Sequence, residues 1–553
     1  MMLTSKTAAV AAFVLLAGCA GAQQTAAVNP PDDAKIRTYI SSGWDTLSRS
    51  MSECKSVVDI KVATAPVLYL PYEMSIPPAV SAMQQECHVD VRHLPRAVHH
   101  IGDVRPSELK VEGLLYLPER YDVPGGRFNE MYGWDSYFIL LGLIHDNRTE
   151  LARGMVENFF FEIENYGAIL NANRTYFFTR SQPPFLSSMI REVYEHPASG
   201  TQPDLAWLAH AYTYAQRDYA LWTSPDHLAG KTGLARYHDL GQGPVPEMAD
   251  DSSYYPDVIR WLLAHPKEHP EYLVTSSAKP SAAEAANLRK TSCDIDASRV
   301  CAKAVFNGHR LSAAFYSSDR AMRESGFDTS FRFGPFSGST GDYAPVCLNS
   351  LLYKYEADMV KIALHLNRKN EAVVWAQRAA QRKAAIDRYL WDADQGVYMD
   401  YNYVTNKRST YHFVSMFYPL WAGVANKQQA ASVRDHLSLF ERPGGMATSD
   451  YASGVQWDLP FGWAPTNWLS VLGLDLYGYH EDAVRIAQEF SKSVLDNFLH
   501  DGTIREKYNV DEASANVNVA AGYKANVVGF GWTNAVYLEL QDIIAEPPIT
   551  IRK

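Results

Sequence analysis

The chain has few cysteines, no excess of positive charge and no long apolar run beyond its first residues. No later segment reaches the roughly 18 consecutive apolar residues of a membrane-spanning helix. The net charge of −11 and the pI near 5.9 argue against nucleic acid and anionic membrane surfaces as partners. The six cysteines form no CxxC pair, so neither a redox motif nor a zinc ribbon is indicated. With 47% hydrophobic and 20% charged residues, the 553-residue chain is expected to be globular with a large core.

The N-terminal residues have the pattern of an export signal. A lysine precedes an apolar stretch at 8–18 that is too short to span a bilayer. "LAGC" at 16–19 resembles a bacterial lipobox, with cleavage before Cys19 and a lipid on its thiol, whereas "AGA" at 20–22 allows ordinary cleavage directly after it. We favour the lipobox because it explains a cysteine at that position. Both alternatives predict an exported protein. Ordinary cleavage predicts a periplasmic protein, and the lipobox predicts attachment to the outer membrane through a lipid on Cys19.

The five cysteines other than Cys19 leave at least one thiol unpaired in an oxidising compartment. Cys293 and Cys301 are close enough in sequence to close a small loop. Cys54 with Cys87 is the alternative pair. The spacing does not decide between the two, so both stay open.

Helical periodicity dominates the rest of the chain. Apolar residues recur at helical spacing at 133–146, and 531–544 has the same pattern. Segments 350–391 and 466–499 each indicate two helices separated by a short polar break. Paired helices with short connections and few alternating strands predict an all-α fold of antiparallel hairpins.

Five short stretches mix glycines or amides, charged side chains and aromatic rings in a way that a structural loop does not require. Together they suit a polar ligand with flat apolar faces, such as a sugar, and predict one binding rim. The stretches are "PGGRFNEMYGWDSY" (124–137), "NANRTYFFTRSQPPF" (171–185), "ESGFDTSFRF" (324–333), "QWDLPFGWAP" (456–465) and "REKYNV" (505–510).

Two of these stretches carry signatures of a known family. Residues 124–137 match P-G-G-R-F-x-E-x-Y-x-W-D-x-Y at every fixed position, and 456–465 match Q-W-D-x-P-x-G-W-A-P. The order of the remaining motifs, through "RSQPPF", "SGFD" and "EKYNV" to "GFGWTNA", agrees as well. Over roughly residues 110–545 the chain therefore resembles the trehalases of glycoside hydrolase family 37. The resemblance implies an (α/α)6 toroid, a six-hairpin barrel whose long loops form the active-site rim.

The resemblance also implies an inverting hydrolysis of α,α-trehalose. One carboxylic acid protonates the leaving oxygen and a second carboxylate activates a water. Asp328 matches the family's acid and Glu506 its base. Phe327 and Phe331 flank the acid and predict a low-polarity environment that raises its pKa.

A set of sugar contacts carries over from the same resemblance. Arginine and amide side chains fork onto neighbouring hydroxyls, and aromatic rings stack on the C–H face of the sugar. Trp463, in contrast, is interpreted as core support. The matching positions are Arg127, Phe128, Tyr132, Trp134, Asp135, Asn171, Arg180, Ser181, Gln182, Glu247, Gly326 and Trp457.

Three departures from the family pattern limit the transfer. Where the family has R-P-E, this chain has Val245 in "VPE", and valine donates no hydrogen bond. The family's glycine-rich stretch with G-E-Y is here "VNVAAGYKANV", and the interval from Glu247 to Asp328 is longer than expected. These changes weaken trehalose binding or shift the preference to another α-glucoside, unless a nearby basic residue replaces the arginine.

The sequence therefore predicts an exported α,α-trehalase that acts on a small disaccharide as a monomer, without metal or cofactor. The predicted division is a signal peptide at 1–22, a tether and N-terminal extension at 23–50 and one catalytic domain at 51–553. One alternative is a hydrolase of the same fold that cleaves another small α-glucoside. The other is a non-catalytic sugar-binding surface lipoprotein, which the presence of both Asp328 and Glu506 argues against.

Overall fold

The protein is mostly helical. The computed structural model describes residues 30–58, 66–249, 253–275, 300 and 303–547. Its α-helices are α1 (Pro30–Leu47), α2 (Cys54–Val57), α3 (Pro78–Cys87), α4 (Gly133–His145), α5 (Thr149–Asn165), α6 (Leu186–Glu195), α7 (Leu205–Trp222), α8 (Tyr254–Ala264), α9 (Ala313–Glu324), α10 (Val346–His365), α11 (Lys369–Tyr389), α12 (Tyr418–Ala422), α13 (Lys427–Arg434), α14 (Ala464–Leu476), α15 (His480–Asp501) and α16 (Gly531–Ala545). Within the described ranges, no helix combines the length and apolar character needed to cross a membrane.

The strands are only two to four residues long and lie between the helices. β2 pairs in parallel with both β3 and β4, and β15 pairs antiparallel with β16. The remaining pairs are antiparallel: β1 with β5, β6 with β7, β9 with β10, β13 with β14, and β11 with both β8 and β12. The strands are β1 (Ser48–Arg49), β2 (Val67–Leu70), β3 (Asp90–His93), β4 (Leu114–Leu115), β5 (Tyr121–Asp122), β6 (Leu273–Thr275), β7 (His309–Leu311), β8 (Tyr343–Ala344), β9 (Trp391–Asp392), β10 (Val397–Tyr398), β11 (Tyr401–Asn402), β12 (Lys407–Arg408), β13 (Glu441–Arg442), β14 (Gly445–Met446), β15 (Phe461–Trp463) and β16 (Lys507–Asn509).

The helices predicted from periodicity are confirmed. Segment 133–146 is α4, and segment 531–544 is α16. The break predicted in 350–391 separates α10 from α11, and the break in 466–499 separates α14 from α15.

Apolar composition separates helices buried on all sides from helices with one buried face. Every residue from Gly133 to Leu143 in α4 is buried, and so is every residue from Gly531 to Leu538 in α16. A helix that is apolar all round belongs inside the protein. By contrast, α11 buries one stripe at helical spacing, formed by Ala372, Trp375, Ala379, Arg382 and Ile386.

Helix contacts follow a regular order. α4 packs on α6, α6 on α10, α10 on α12, α12 on α14, α14 on α16, and α16 packs against α4 again. A second helix lies beside several of these: α5 packs on α4, α7 on α6, α11 on α10 and α15 on α14. Residues 30–47 of the N-terminal extension form α1, which packs on α15 and α16. The main hydrophobic core runs through these helices.

Of the two alternative cysteine pairs, a disulfide joins Cys54 to Cys87. Cys347 is a buried free thiol. The predicted signal segment with Cys19, and the other predicted pair, Cys293 with Cys301, lie outside the described residues.

Candidate active site

Asp328 lies on a turn that leaves the C-terminus of α9. Ser325 caps the helix and Gly326 follows with φ of 77°, the left-handed conformation that glycine adopts without strain. A Cβ at position 326 would also approach the ring of Trp134 to 2.8 Å. Phe327 packs edge-on against Trp134 and Trp457, with ring centroids 5.5 and 5.1 Å apart. The turn thus fixes Asp328 beside an aromatic cluster.

The electrostatic environment of Asp328 favours its protonated form. Burial raises the pKa of Asp328, Arg323 and Arg180 lower it, and the charge on Glu247 adds a smaller increase, so that the net pKa is about 7. The Arg323 Nη1 atom lies 3.6 Å from Asp328 Oδ2. The side chain remains 22% exposed, so it can reach a ligand. A carboxyl with this pKa can hold and release a proton near neutral pH.

Glu506 is positioned by the antiparallel pair of β15 and β16. It directly precedes β16, whose Lys507 pairs with Trp463 of β15. Trp532 of α16 donates from Nε1 to the backbone oxygen of Glu506 at 3.3 Å. The carboxylate is 16% exposed, and Lys507 donates to its Oε2 atom at 3.1 Å.

Gln456 and Lys507 connect the two carboxyl-bearing segments. Gln456 Nε2 donates to the backbone oxygen of Asp328, and its Oε1 atom accepts from Lys507 Nζ at 2.9 Å. Lys507 is completely buried and also donates to the backbone oxygen of Ala525 at 2.9 Å. The link from Asp328 through Gln456 and Lys507 to Glu506 thus places both acids at one site.

Tryptophan rings form an apolar wall at this site. Trp457 stacks on Trp463 with centroids 3.9 Å apart and lies 5.9 Å from Trp134. Trp532 packs edge-on against Trp134 and Trp463 at 5.7 and 5.8 Å. All four rings are buried. The burial of Trp463 agrees with its interpretation as core support.

Asp135, in the first turn of α4, is a third buried acid. Burial raises its pKa well above the usual value, and the charges on Glu506 and Asp328 raise it further. Asp135 is therefore within electrostatic reach of both acids.

Arg180 and Glu247 form an ion pair with capacity left for a ligand. Arg180 Nη2 donates to Glu247 Oε1, and its guanidinium centre lies 4.9 Å from the ring of Phe177. Arg180 Nε and Glu247 Oε2 are buried without a hydrogen-bond partner within the described part of the chain. Buried polar atoms without a partner are rare in native proteins, so these two atoms are candidates for contact with a ligand.

Other predicted contacts hold the backbone in place. The Ser181 hydroxyl donates to the backbone oxygen of Ile169 at 2.6 Å, and Gln182 Oε1 accepts from the backbone N–H of Trp134 at 3.0 Å. Asn171 Oδ1 accepts from Arg180 at 3.4 Å.

The first signature also contributes three residues nearer the surface. Arg127 is exposed, with its guanidinium 5.1 Å from the ring of Phe128. Phe128 in turn packs edge-on against Tyr132 at 5.6 Å.

The structure adds Arg323 and Tyr523 to the residues found from the sequence. Arg323 is 3% exposed, and its Nη1 atom donates to the Tyr523 hydroxyl at 3.0 Å. Tyr523 belongs to the stretch that departs from the family's glycine-rich pattern. The only sequence signal for Arg323 was its place just before the "SGFD" motif, which does not indicate where the side chain points.

Val245 is completely buried in a second hydrophobic cluster that includes Tyr254, Tyr255 and Phe315. Its backbone N–H donates to the hydroxyl of Tyr255 at 3.0 Å. Its side chain is therefore a packed core group.

A helical body that brings buried carboxyls together beside tryptophan rings is typical of a glycosidase. The trehalase family model matches residues 62–545. The cytosolic neutral trehalase of Kluyveromyces lactis is 34% identical over 92% of this chain and 71% of its own length. The chain belongs to the trehalase family.

Two further relatives agree with this membership. The cytosolic neutral trehalase of Saccharomyces cerevisiae is 34% identical over 87% of this chain and 67% of its own length. The solved structure of the neutral trehalase Nth1 from the same yeast matches with a TM-score of 0.73 at 30% identity. That match covers 94% of this chain and 97% of the other.

The relatives contradict the predicted location. Both curated relatives named above are cytosolic neutral trehalases, as are those of Neurospora crassa and Emericella nidulans. The prediction of a periplasmic or outer-membrane-attached protein is therefore wrong. It depended on a local pattern in the first residues and not on the folded body that these relatives share.

Proposed function

We propose that this protein is an α,α-trehalase, which hydrolyses trehalose to two glucose molecules. Family membership over residues 62–545 supports the substrate. The observation that carries the proposal is that two acids lie at one site: Gln456 bonds to the backbone oxygen of Asp328 and to Lys507, which bonds to the Glu506 carboxylate. One of the two, Asp328, has a pKa raised to about 7 by burial.

In the proposed reaction, Asp328 acts as the general acid and Glu506 as the general base. Asp328 gives its proton to the glycosidic oxygen while the bond from that oxygen to one anomeric carbon breaks. Glu506 removes a proton from a water whose oxygen forms the new bond to that carbon from the opposite face. Attack from the opposite face inverts the configuration at that carbon. Carboxyls roughly 6.5–9.5 Å apart leave room for the water between them.

The substrate contacts proposed from the family motifs fall into three groups. Arg180 and Glu247 offer unpaired polar atoms to hydroxyl groups, and Trp134 and Trp457 offer ring surface. Ser181 and Gln182 act through the backbone segments that they hold.

We also propose that the helices form an (α/α)6 toroid within one catalytic domain at 51–553. The succession of contacts from α4 through α6, α10, α12 and α14 to α16 supports a closed inner ring, because α16 packs against α4 again. The helices beside this ring support an outer layer.

The stereochemistry of the products tests the mechanism. Cleavage with inversion of an α,α-linkage releases one β-glucose and one α-glucose per event. Anomeric proton NMR in the first moments of the reaction should therefore show equal amounts of the two anomers, before mutarotation shifts the mixture toward its unequal equilibrium ratio. Release of α-glucose alone would contradict the two-carboxyl assignment.

Substitution of the acid tests its role. Asp328→Asn should lower kcat by several orders of magnitude while trehalose still binds, because the amide cannot release a proton. Asp450→Asn is the control, since Asp450 lies outside the proposed acid–base pair and binds His412. Turnover close to that of wild type in Asp328→Asn would remove this residue from the mechanism.

A second candidate is a trehalase-fold hydrolase of another small α-glucoside. Val245 and the stretch around Tyr523, where the chain departs from the family pattern, favour it. Glucose release from trehalose and from a panel of α-glucosides, compared as kcat/KM, decides between the two. A preference of tenfold or more for another sugar would favour the second candidate.

A further inference from the structure

A completely buried lysine lies beside the proposed base. Lys507 begins β16 directly after Glu506, and its side chain has no exposed surface. Its Nζ atom donates to Glu506 Oε2 at 3.1 Å. We propose that Lys507 is a positioning residue, whose charge keeps Glu506 ionised and holds its carboxylate in place, so that this acid serves as the base. The proposal rests on the proposed function, because it explains how the site divides two roles between two acids.

The surroundings of Nζ require the lysine in its charged form. Nζ donates to Gln456 Oε1 and to the backbone oxygen of Ala525, both at 2.9 Å, and to Glu506 Oε2 at 3.1 Å. The backbone oxygen of Tyr523 lies at 3.4 Å. All four are acceptors, and only an ammonium group has three N–H bonds to offer them. A neutral amine would turn its lone pair toward one of these oxygens.

The amide of Gln456 is held in one orientation, which supports this assignment. Its Nε2 atom donates to the backbone oxygen of Asp328, an atom that can only accept. The Oε1 atom is therefore the one that faces Lys507. With the amide reversed, two oxygens would meet at Asp328 and two donors at Lys507.

A buried ammonium group favours an anion beside it. Burial of a charge without a counter-charge is costly, and Gln456 and the backbone oxygens around Nζ carry no net charge. Glu506 forms an ion pair with Lys507. The folded protein therefore favours Glu506 in its ionised form, which is the form that can remove a proton from water.

The other carboxyl of the site has different surroundings, because the cations near Asp328 have acids of their own. Arg323 donates to Asp319 from Nε and Nη2, at 3.3 Å each, and Arg180 donates to Glu247. Burial leaves the pKa of Asp328 raised to about 7. The site thus favours a protonated acid here and an ionised base beside the lysine.

A purely structural role for Lys507, as a clamp on the segment around Tyr523, is the competing explanation. Asn526 provides the control, because it binds the same segment without a charge. Its Nδ2 atom donates to the backbone oxygens of Lys507 and Ala515 at 3.0 and 2.8 Å. Its Oδ1 atom accepts from the backbone N–H of Lys507 at 3.2 Å. Asn526→Ala should lower Tm and leave the pH dependence of activity in place.

The kinetic test measures kcat and KM for trehalose across pH in wild type, Lys507→Met, Lys507→Arg and Asn526→Ala. On the acidic limb of activity, Glu506 takes up a proton and no longer acts as a base. Lys507→Met removes the charge, so this limb should move to higher pH by about one unit or more. In this variant kcat should fall with little change in KM, because Lys507 acts through Glu506 and not on the substrate. Lys507→Arg keeps the charge and should keep the limb.

The charged groups around Glu506 lie on three elements. Lys507 is on β16, Asp135 is on α4, and Asp328 is on the turn after α9. Arg505, which precedes Glu506, pairs with the last residue of α15 at 2.7 Å. Only Lys507 changes its charge in these variants, so a displaced acidic limb is assigned to that charge.

A double-mutant cycle measures the ion pair without any turnover. Lys507→Met and Glu506→Gln should each lower Tm, because each leaves one charge of the pair without its partner. The double variant should lose less than the sum of the two single losses. Lys507→Met combined with Asp450→Asn is the control cycle, in which the losses should add.

Two results would overturn the proposal. The first is an acidic limb that stays in place in Lys507→Met, or that moves equally in Asn526→Ala. The second is a cycle of Lys507 with Glu506 in which the losses add. If Lys507→Met does not fold, Lys507→Gln takes its place, since it keeps a donor and loses the charge.

Wild-type activity tests the proposed function separately. If wild type releases no glucose from trehalose or any α-glucoside, the proposed function fails, and the cycle still decides whether the two side chains form a coupled ion pair. If wild type is active and the limb stays in place in Lys507→Met, only the role of the lysine fails.

Discussion

At the scale of single residues, the site depends on what surrounds Asp328. Burial raises the pKa of this carboxyl, and two arginines limit the rise. Without burial the acid would be ionised at neutral pH and could not donate a proton. In the proposed mechanism, the two arginines stabilise the charged form that Asp328 takes after it has given up its proton.

The pKa of Asp328 predicts the alkaline limb of activity. Because the acid must carry its proton, kcat/KM for trehalose should fall above pH about 7, by roughly tenfold for each pH unit. Initial rates at low substrate concentration from pH 5 to 9 measure this. A kcat/KM that stays level up to pH 9 would contradict Asp328 as the acid.

The same group makes stability depend on pH. Its folded-state pKa of about 7 lies above the ordinary value of 3.8, so the folded protein binds this proton more tightly than the unfolded chain. Its contribution to stability is therefore present at low pH and is lost as pH rises from about 4 to about 7. Asp328→Asn has no charge to bury, so it should be more stable than wild type at pH 8, by up to about 4 kcal/mol.

Thermal unfolding of both proteins at pH 5 and pH 8 checks this sign. The advantage of Asp328→Asn in Tm should be larger at pH 8. An equal difference at both pH values would show that the charge of Asp328 does not oppose folding.

At the scale of elements, the C-terminus of α9 determines where the acid lies. The helix ends in a glycine with positive φ that also lets Trp134 approach. The antiparallel pair of β15 and β16 places Glu506 in the same way, through its pairing register. Both elements are short, so a small local change should move a reacting group.

Gly326→Ala tests the first of these elements. It adds backbone strain of about 1 kcal/mol and a Cβ 2.8 Å from the Trp134 ring, so both Tm and kcat should fall. Gly502→Ala is the matched control, because Gly502 ends α15 with φ of 74° and a Cβ there meets no atom within 4 Å in the described structure. An equal loss in both variants would mean that strain alone, and not the contact with Trp134, matters.

At the scale of the whole molecule, the first and last helices of the described residues meet. Trp44 of α1 is completely buried, and its Nε1 atom donates to Asp146 Oδ2 at 2.8 Å. A Cβ at Gly142 of α4 would lie 2.8 Å from the Trp44 ring. The N-terminal helix therefore packs on α4 as well as on the C-terminal helix α16.

Trp44→Ala should lower the free energy of unfolding by about 3–5 kcal/mol, because it opens a cavity and leaves Asp146 without this donor. Lys35→Ala on the exposed side of α1 is the control, since its side chain is 64% exposed. Denaturant unfolding measures both. A loss below about 1 kcal/mol in Trp44→Ala would show that α1 adds little to the folded body.

Much of this protein can be predicted from the sequence. The presence and approximate extent of α4, α10, α11, α14, α15 and α16 follow from periodicity, because a helix depends on residues three and four positions apart. The acid and base were proposed from motifs that lie within single short stretches. These features are local, so the order of residues along the chain is enough to predict them.

Only the tertiary structure decided which distant groups share the site. Gln456 bonds to Asp328, 128 residues away, and to Lys507, 51 residues away. Arg323 carries no motif, and only its bonds to Asp319 and Tyr523 fix its side chain beside Asp328. The flanking Phe327 and Phe331 indicated an apolar environment for Asp328, but how far packing buries Asp328 and Val245 depends on contacts between distant elements.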